Sequence, residues 1–228
     1  MRTTLASRRL GHVFAPVWRA QGGALFGFDA IPRLMNGTAW HEAAAIARET
    51  GDLAELAELS LLSALRASWE LPGSLVVRLD PAEDFSCQLP QDTLLRRSQA
   101  IVADVHLSSD EPAAYRHTLG ALRREGVAIA VSGRDLPSLI RVLAEIRPDV
   151  VRLGAPQWNQ ADVEAFAGSV HAAGALLLCD GVTEPGQLDD LQRQGCDLVA
   201  GGHVGRPAPA DAWTPARIGL SWPSERSR

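Results

Sequence analysis

The feature that most narrows the fold of this chain lies between residues 175 and 207. An apolar run, Ala175-Leu176-Leu177-Leu178, ends at Cys179-Asp180-Gly181, and an amphipathic stretch from Pro185 to Gln192 follows. A second run closes on Leu198-Val199, and Gly201, Gly202 and Gly205 crowd the segment before Arg206-Pro207. Short apolar runs bounded by turn signals read as buried strands, and a helix between two of them makes a parallel unit. A carboxylate set where a parallel strand ends is where α/β barrels keep their chemistry. The glycines let backbone approach a ligand or a neighbouring segment closely.

The rest of the chain has the same pattern. Residues 13–18 and 24–28 are apolar runs split by Gln21-Gly22-Gly23, which reads as a hairpin. Residues 41–69 are rich in Ala, Leu and Glu with one breaker at Gly51. Leu59, Leu62, Leu65 and Trp69 there suggest one buried helical face, a scaffold without direct chemistry. Leu75-Val76-Val77-Arg78-Leu79, residues 100–107, residues 127–131 and Val150-Val151-Arg152-Leu153 read as further strands. A helix is expected between Ala113 and Glu125, stopped by Gly126, and another from Ser138 to Ile146.

At 228 residues and 46% hydrophobic content, one domain with a substantial core is expected. No apolar run reaches the ~20 residues of a membrane helix. The N-terminus carries Arg2, Arg8 and Arg9 without an apolar leader, so a cytoplasmic protein without membrane association is predicted. Cys87, Cys179 and Cys196, odd in number and widely spaced, read as reduced core thiols. A net charge of −5 with dispersed basic residues, and 5% aromatics, speaks against a nucleic-acid partner. Residues 1–10 and 214–228 read as tails around a single domain of residues 11–213. The C-terminal one, with Pro215 and Pro223, reads as peripheral.

The order of these segments resembles the EAL domain, the bacterial cyclic di-GMP phosphodiesterase module. The resemblance is strongest from Asp180 to Pro207. The family reads Ala-Glu-Gly-Val-Glu-Thr, a Gln-Leu helix, Gly-Cys-Asp and Phe-Gly-Arg-Pro where this chain has Cys179-Asp180-Gly181-Val182-Thr183-Glu184, Gln187-Leu188, Gly195-Cys196-Asp197 and Val204-Gly205-Arg206-Pro207. Near the N-terminus, Phe14-Ala15-Pro16-Val17 and Gly27-Phe28-Asp29-Ala30-Ile31-Pro32-Arg33 resemble the family's Tyr-Gln-Pro-Ile and Gly-Phe-Glu-Ala-Leu-Leu-Arg. Glu49-Thr50-Gly51 resembles its Glu-Thr-Gly. The resemblance implies a TIM-barrel-like α/β fold with one strand antiparallel to the others.

The same alignment marks departures at the positions that carry the family's chemistry. Asp29, Asp104 and Asp180 stand for glutamates, Arg78 for a metal-binding asparagine, and Arg152 for the lysine that helps activate water. Ser132 and Gly133 stand for the adjacent aspartates that hold metals, in a shortened loop whose one nearby carboxylate is Asp135. Leu107 and Thr183 replace further glutamates, and Ala15 and Ala200 replace glutamines, Ala15 a nucleotide-contacting one. A cation is the wrong group to hold a divalent metal, and arginine does not readily release its proton. Each Glu-to-Asp change withdraws the carboxylate by on the order of 1.5 Å.

The resemblance, with these losses, predicts a catalytically inactive EAL-like signalling protein that acts through a protein partner, with no metal and no cofactor. Cyclic di-GMP binding is expected to be weak or absent. Two alternatives stay open. One is a cyclic di-GMP receptor without hydrolysis, using Arg33 and Arg152 as phosphate clamps. The other is a metal-dependent barrel hydrolase using Asp29, Asp104, His106 and Asp180, with His203 as a further candidate ligand. Read conservatively, the three aspartates are solvated strand ends or helix N-caps. Gly201 to Arg206 is either a phosphate cradle or a loop closure with Arg206 in an internal ion pair. The candidate partner surface is Leu139, Ile140 and Leu143, on a helix with more apolar residues than one buried stripe needs. A two-sided core contact is the competing reading.

Overall fold

The computed structural model describes residues 10–34, 37–80, 100–107, 115–133, 135–158 and 162–222. Cys87 and nearly all of the expected N-terminal tail lie outside the described residues.

Eight strands close into a barrel in chain order: β1 (Leu10–Arg19), β2 (Leu25–Leu34), β3 (Ser74–Leu79), β4 (Ile101–Leu107), β5 (Ala128–Gly133), β6 (Val150–Leu153), β7 (Leu176–Cys179) and β8 (Leu198–Val199). β1 runs antiparallel to β2 and β8, and the remaining neighbours are parallel. The expected hairpin forms and is longer than its apolar runs, because pairing from Leu10↔Leu34 to Trp18↔Leu25 carries polar residues along. Its turn uses Gly22 and Gly23 at positive φ, where a side chain is strained.

Helices α1 (Trp40–Thr50) and α2 (Leu53–Ala67) follow β2, divided at Gly51 in the left-handed conformation. The buried stripe of α2 is Leu53, Leu56, Ala57, Ser60, Leu61, Ala64 and Leu65. The expected stripe was out of phase: Leu59 and Leu62 are half-buried and Trp69 is exposed. A helix this rich in leucine offers two i, i+3 tracks, and contact with the barrel selects one. Helices α3 (Arg116–Arg124), α4 (Leu136–Ile146), the single turn α5 (Ala155–Trp158), α6 (Val163–Ala172) and α7 (Pro185–Arg193) return the chain between parallel strands. Cys179 and Cys196 are buried and free, as expected.

The C-terminal segment corrects the expected tail. Thr214 caps a helix α8 (Pro215–Ser221), its hydroxyl accepting from the backbone N of Arg217. Trp222 lies with its ring 5.6 Å from that of Trp18, over the space where a side chain on Gly23 would sit. Two tryptophans and Ile218 outweigh the helix-breaking composition, so the described part of this segment is a helix packed on the barrel.

The apolar interior divides in two. A larger shell joins the barrel's outer face to the helices through residues such as Phe28, Leu61, Leu122, Leu139 and Leu153. A smaller cluster, Val17, Val76, Val102, Ala130, Val150, Leu178 and Leu198, takes one residue from each of seven strands and fills the barrel. Side chains alternate along a strand. Two positions further on lie Arg78, Asp104, Ser132, Arg152 and Asp180, so the layer above an apolar floor is polar and charged.

Candidate functional site

Arg152 stands at the centre of that layer. Its Nη2 donates to Asp29 Oδ2 at 2.6 Å and to Asp180 Oδ2 at 2.5 Å, and its Nη1 donates to Asp104 Oδ2 at 3.1 Å. The three carboxylates come from β2, β4 and the end of β7, so one guanidinium ties together strands on opposite sides of the barrel. Asp104 is fully buried and Asp29 nearly so, whereas the Asp180 side chain is 34% exposed. Two further bonds hold Asp180: its Oδ1 accepts from Gly181 N at 2.7 Å, and its carbonyl accepts from Trp158 Nε1 at 2.8 Å. Arg78 of β3 lies alongside, Nε 4.0 Å from Asp104 Oδ2, with its side chain 43% exposed. Arg78 Nε and Asp104 Oδ1 are buried atoms with no hydrogen-bond partner among the described residues.

Burial raises the Asp29 pKa, and the charges of Asp180 and Asp104 add to it against the opposing pull of Arg152. At Asp180 burial pushes the same way. There the Arg152 charge and hydrogen bond, the Gly181 N–H and Arg78 outweigh it, so its pKa is lowered. Burial alone would favour loss of the Arg152 proton, but the three carboxylates reverse this and hold it charged. The cluster is an internal ion network in which three anions share one fully engaged cation.

This arrangement decides between the expected readings of the aspartates. None of the three caps a helix; the capping carboxylates are Asp135, which accepts from Ser138 N, Asp162, which accepts from Ala165 N, and Glu184. Arg152 points its amino groups at carboxylates, which corrects its expected role as a phosphate clamp. Of the residues proposed for a metal-dependent hydrolase, Asp29, Asp104 and Asp180 do meet, but around the Arg152 guanidinium. His106 Nδ1 is 3.5 Å from Ser132 Oγ, and His203 is held by its backbone N at Val182 O. Among the described residues no three His, Cys, Asp or Glu side chains form a group able to hold a metal ion. The physical reason is that the aspartates are spread around a guanidinium, which is wider than an ion.

Ser132 and Gly133 end β5, and Gln157 Nε2 donates to Gly133 O at 2.5 Å. A side chain at Gly133 would come within 3.3 Å of Leu139. The glycine-rich segment is a closure. A Cβ on Gly201 would lie 2.3 Å from Val182 N, one on Gly205 would lie 2.2 Å from Pro16 Cγ, and Arg206 is exposed, with no ion pair among the described residues.

A cleft of about 450 Å³ opens above the cluster. Asp29, Arg78, Arg152 and Asp180 form its floor, and Arg33, Trp40, His41 and Gly202 line its walls. Trp40 Nε1 donates to Asp80 Oδ2 at 3.1 Å, which fixes the indole at the rim. Trp40 and His41 carry no signal in the sequence, because a rim residue needs no periodicity. The Arg152 cluster did leave one: Asp104, Arg152 and Asp180 each stand two positions beyond an interior valine or leucine, although Asp29, two beyond Gly27, does not.

Of the candidate partner surface, Leu139 and Leu143 are buried in the core, and Ile140 alone is well exposed at 49%. The correction follows from α4 packing on both β5 and α6, which buries Leu139, Val142, Leu143 and Ile146. Ile140 stands beside a groove between α4 and α6 that Ala144, Arg147, Ser169 and Ala172 also line.

Residues 1–207 match the EAL domain family model. A protein of Caulobacter vibrioides described as an uncharacterized signaling protein is 27% identical over 246 residues, covering 95% of this chain. The chain spans 30% of that relative's length. The PaMucR phosphodiesterase, solved as a cyclic di-GMP complex, superposes with a TM-score of 0.71 at 22% identity, covering 90% of this chain and 99% of its own. The FimX EAL domain of Xanthomonas citri, also solved with cyclic di-GMP, gives 0.71 at 20% identity and 91% coverage of both chains. At these identities the structural likeness concerns the fold.

Proposed function

This chain belongs to the EAL domain family, and within it we propose a member that does not hydrolyse cyclic di-GMP and signals by binding another protein. The observation that carries the proposal is the guanidinium of Arg152, bonded to three carboxylates where the family resemblance places two divalent metals. A two-metal phosphodiesterase holds its ions about 3.5–4 Å apart to stabilise the attacking and leaving oxygens. The residues here do not fit that pair: the three carboxylates already neutralise a cation, and Ser132 and Gly133 offer no replacement for the adjacent aspartates. The three Glu-to-Asp changes fit together with this. Each moves an oxygen away from the centre, and a guanidinium, larger than a metal ion, takes up the space.

A barrel that keeps its packing without its hydrolytic groups is retained for another use, and contact with a cytoplasmic signalling or transcription component suits the exposed Ile140 and the groove beside it. No described helix is long and apolar enough to cross a membrane. The reading is tested by incubating the purified protein with cyclic di-GMP and Mg²⁺ or Mn²⁺. No linear dinucleotide is expected above background; turnover that Asp29→Ala abolishes overturns the proposal.

A second reading, a cyclic di-GMP receptor, is favoured by the open cleft with Arg33 and Arg78 on its surface. It is separated from the first by titration with the nucleotide.

A further inference from the structure

We propose that the groove between α4 and α6 receives an amphipathic helix of a partner protein, with its apolar face on Ile140 and Leu143 and an acidic side chain on Arg147. The proposal rests on the signalling reading above and states what that partner presents. Arg147 is the one non-glycine residue at positive φ among the described residues, at φ 49° and ψ 63°, where it closes the C-terminus of α4. Glycine ordinarily takes this place, and Pro148 disfavours it further, because a residue before proline is pushed towards extended backbone. Arg123 of α3 holds the turn, its Nη2 donating to Ile146 O and, at 3.0 Å, to Arg147 O. The Arg147 guanidinium, by contrast, has no hydrogen bond or ion pair among the described residues, and it is the only charge in the groove's lining. A strained turn persists where its surroundings over-determine it, and such turns cluster at functional sites. Here it places an uncommitted cation in an apolar trough of about 690 Å³. Exposed Ile140 stands about two turns back along α4, roughly 10 Å at 1.5 Å per residue.

Shape and charge together select the occupant. The eight strands close on themselves, so among the described residues the barrel leaves no edge for a partner strand to extend. A trough between two helices takes a third helix, read by residues at i, i+3 or i+4, and i+7. Buried Leu143 gives it an apolar floor, and Ala144, Ala172 and Ala173 leave room for larger side chains to enter. His171, the polar neighbour on α6, is already paired with Asp197 Oδ2 at 2.8 Å, so Arg147 sets the sign of the partner's charge. The partner helix therefore carries two apolar residues one turn apart and an Asp or Glu about two turns from the first.

The test is fluorescence anisotropy of the full chain with labelled, helix-locked peptides. Each carries two leucines one turn apart and a glutamate two turns from the first, made in both chain directions. One of them is expected to bind wild type saturably, more weakly as salt rises. Replacing the peptide's glutamate by lysine should weaken binding about tenfold or more, since like charges then meet. Arg147→Glu should reverse that preference, a result that a merely structural arginine does not give. Arg147→Gly, which relaxes the left-handed turn, should melt no lower than wild type and yet lose the preference. Ile140→Glu should abolish binding of both peptides while its circular dichroism stays that of wild type. The proposal is wrong if neither glutamate peptide binds, if Arg147→Glu still prefers glutamate, or if Ile140→Glu binds as wild type does. It is also wrong if sedimentation shows a wild-type dimer that Ile140→Glu dissociates, because the groove is then a contact between copies of this chain. Turnover of cyclic di-GMP overturns the signalling reading and leaves these titrations standing. A partner held equally well by wild type and Ile140→Glu overturns this proposal and leaves the signalling reading standing.

Discussion

Replacing Arg152 by methionine removes the charge and keeps most of the side chain's length. The substitution strips one charge-assisted hydrogen bond from Asp104 and one from Asp29, both buried, at about 1.5–3 kcal/mol each. Asp180 is one-third exposed, and solvent screening reduces its share to within ~1 kcal/mol. The methionine returns about 1 kcal/mol through apolar burial. The net loss is about 4 kcal/mol near pH 8, in line with the roughly 3–5 kcal/mol for removing one partner of a buried ion pair. For a chain of this size that is a Tm lower by about 8–16 °C.

The penalty is expected to depend on pH with a definite sign. In the wild type, the raised Asp29 pKa means that the folded state keeps a proton the unfolded chain has released, so stability falls as pH rises through the window above the ordinary carboxylate value. The lowered Asp180 pKa acts oppositely: its stabilisation is present above the ordinary value and lost on acidification below it. Without the pull of Arg152, Asp29 and Asp180 become easier to protonate, and the window in which stability falls with rising pH widens. Urea unfolding of wild type and Arg152→Met at about pH 8 and pH 5.5 reads this directly. The difference in stability should shrink at the lower pH. A difference below ~1 kcal/mol, or one equal at both pH values, refutes the reasoning.

Two other outcomes are expected. Cyclic di-GMP should bind no tighter than roughly 10 μM, because a charge-assisted bond from Arg33 contributes about 1.5–3 kcal/mol against the ~7 kcal/mol that affinity requires; submicromolar calorimetric binding lost in Arg33→Ala contradicts this. Leu139→Ala should cost about 2–5 kcal/mol on urea unfolding. Ile140→Glu should stay within about 0.5 kcal/mol and yet abolish partner capture in a pull-down, and the opposite ranking of the two stabilities contradicts the placement of α4.

Barrel and hairpin were legible because strand runs, glycine turns and helix stops are local signals, and the family resemblance implied one antiparallel strand without saying which. The phase of α2 was not, since Leu59 and Leu62 are as apolar as Leu61 and Leu65, and only the barrel surface chooses between them. The C-terminal helix was hidden because its stability comes from Trp222 meeting Trp18 about two hundred residues away in sequence. Leu139 and Leu143 looked available because an amphipathic pattern does not say how many neighbours a helix has. At the site, the departures of Asp29, Asp104, Asp180 and Arg152 could be seen one at a time. That they compensate one another is a fact of three dimensions: three shortened carboxylates meet one long cation from the far side of the barrel.

The most direct measurement is anomalous diffraction from wild-type crystals grown in manganese. The account predicts Arg152 Nη2 between Asp29 and Asp180 and no manganese peak at the barrel mouth. A peak ligated by those two aspartates, with Arg152 turned out into the cleft, contradicts it.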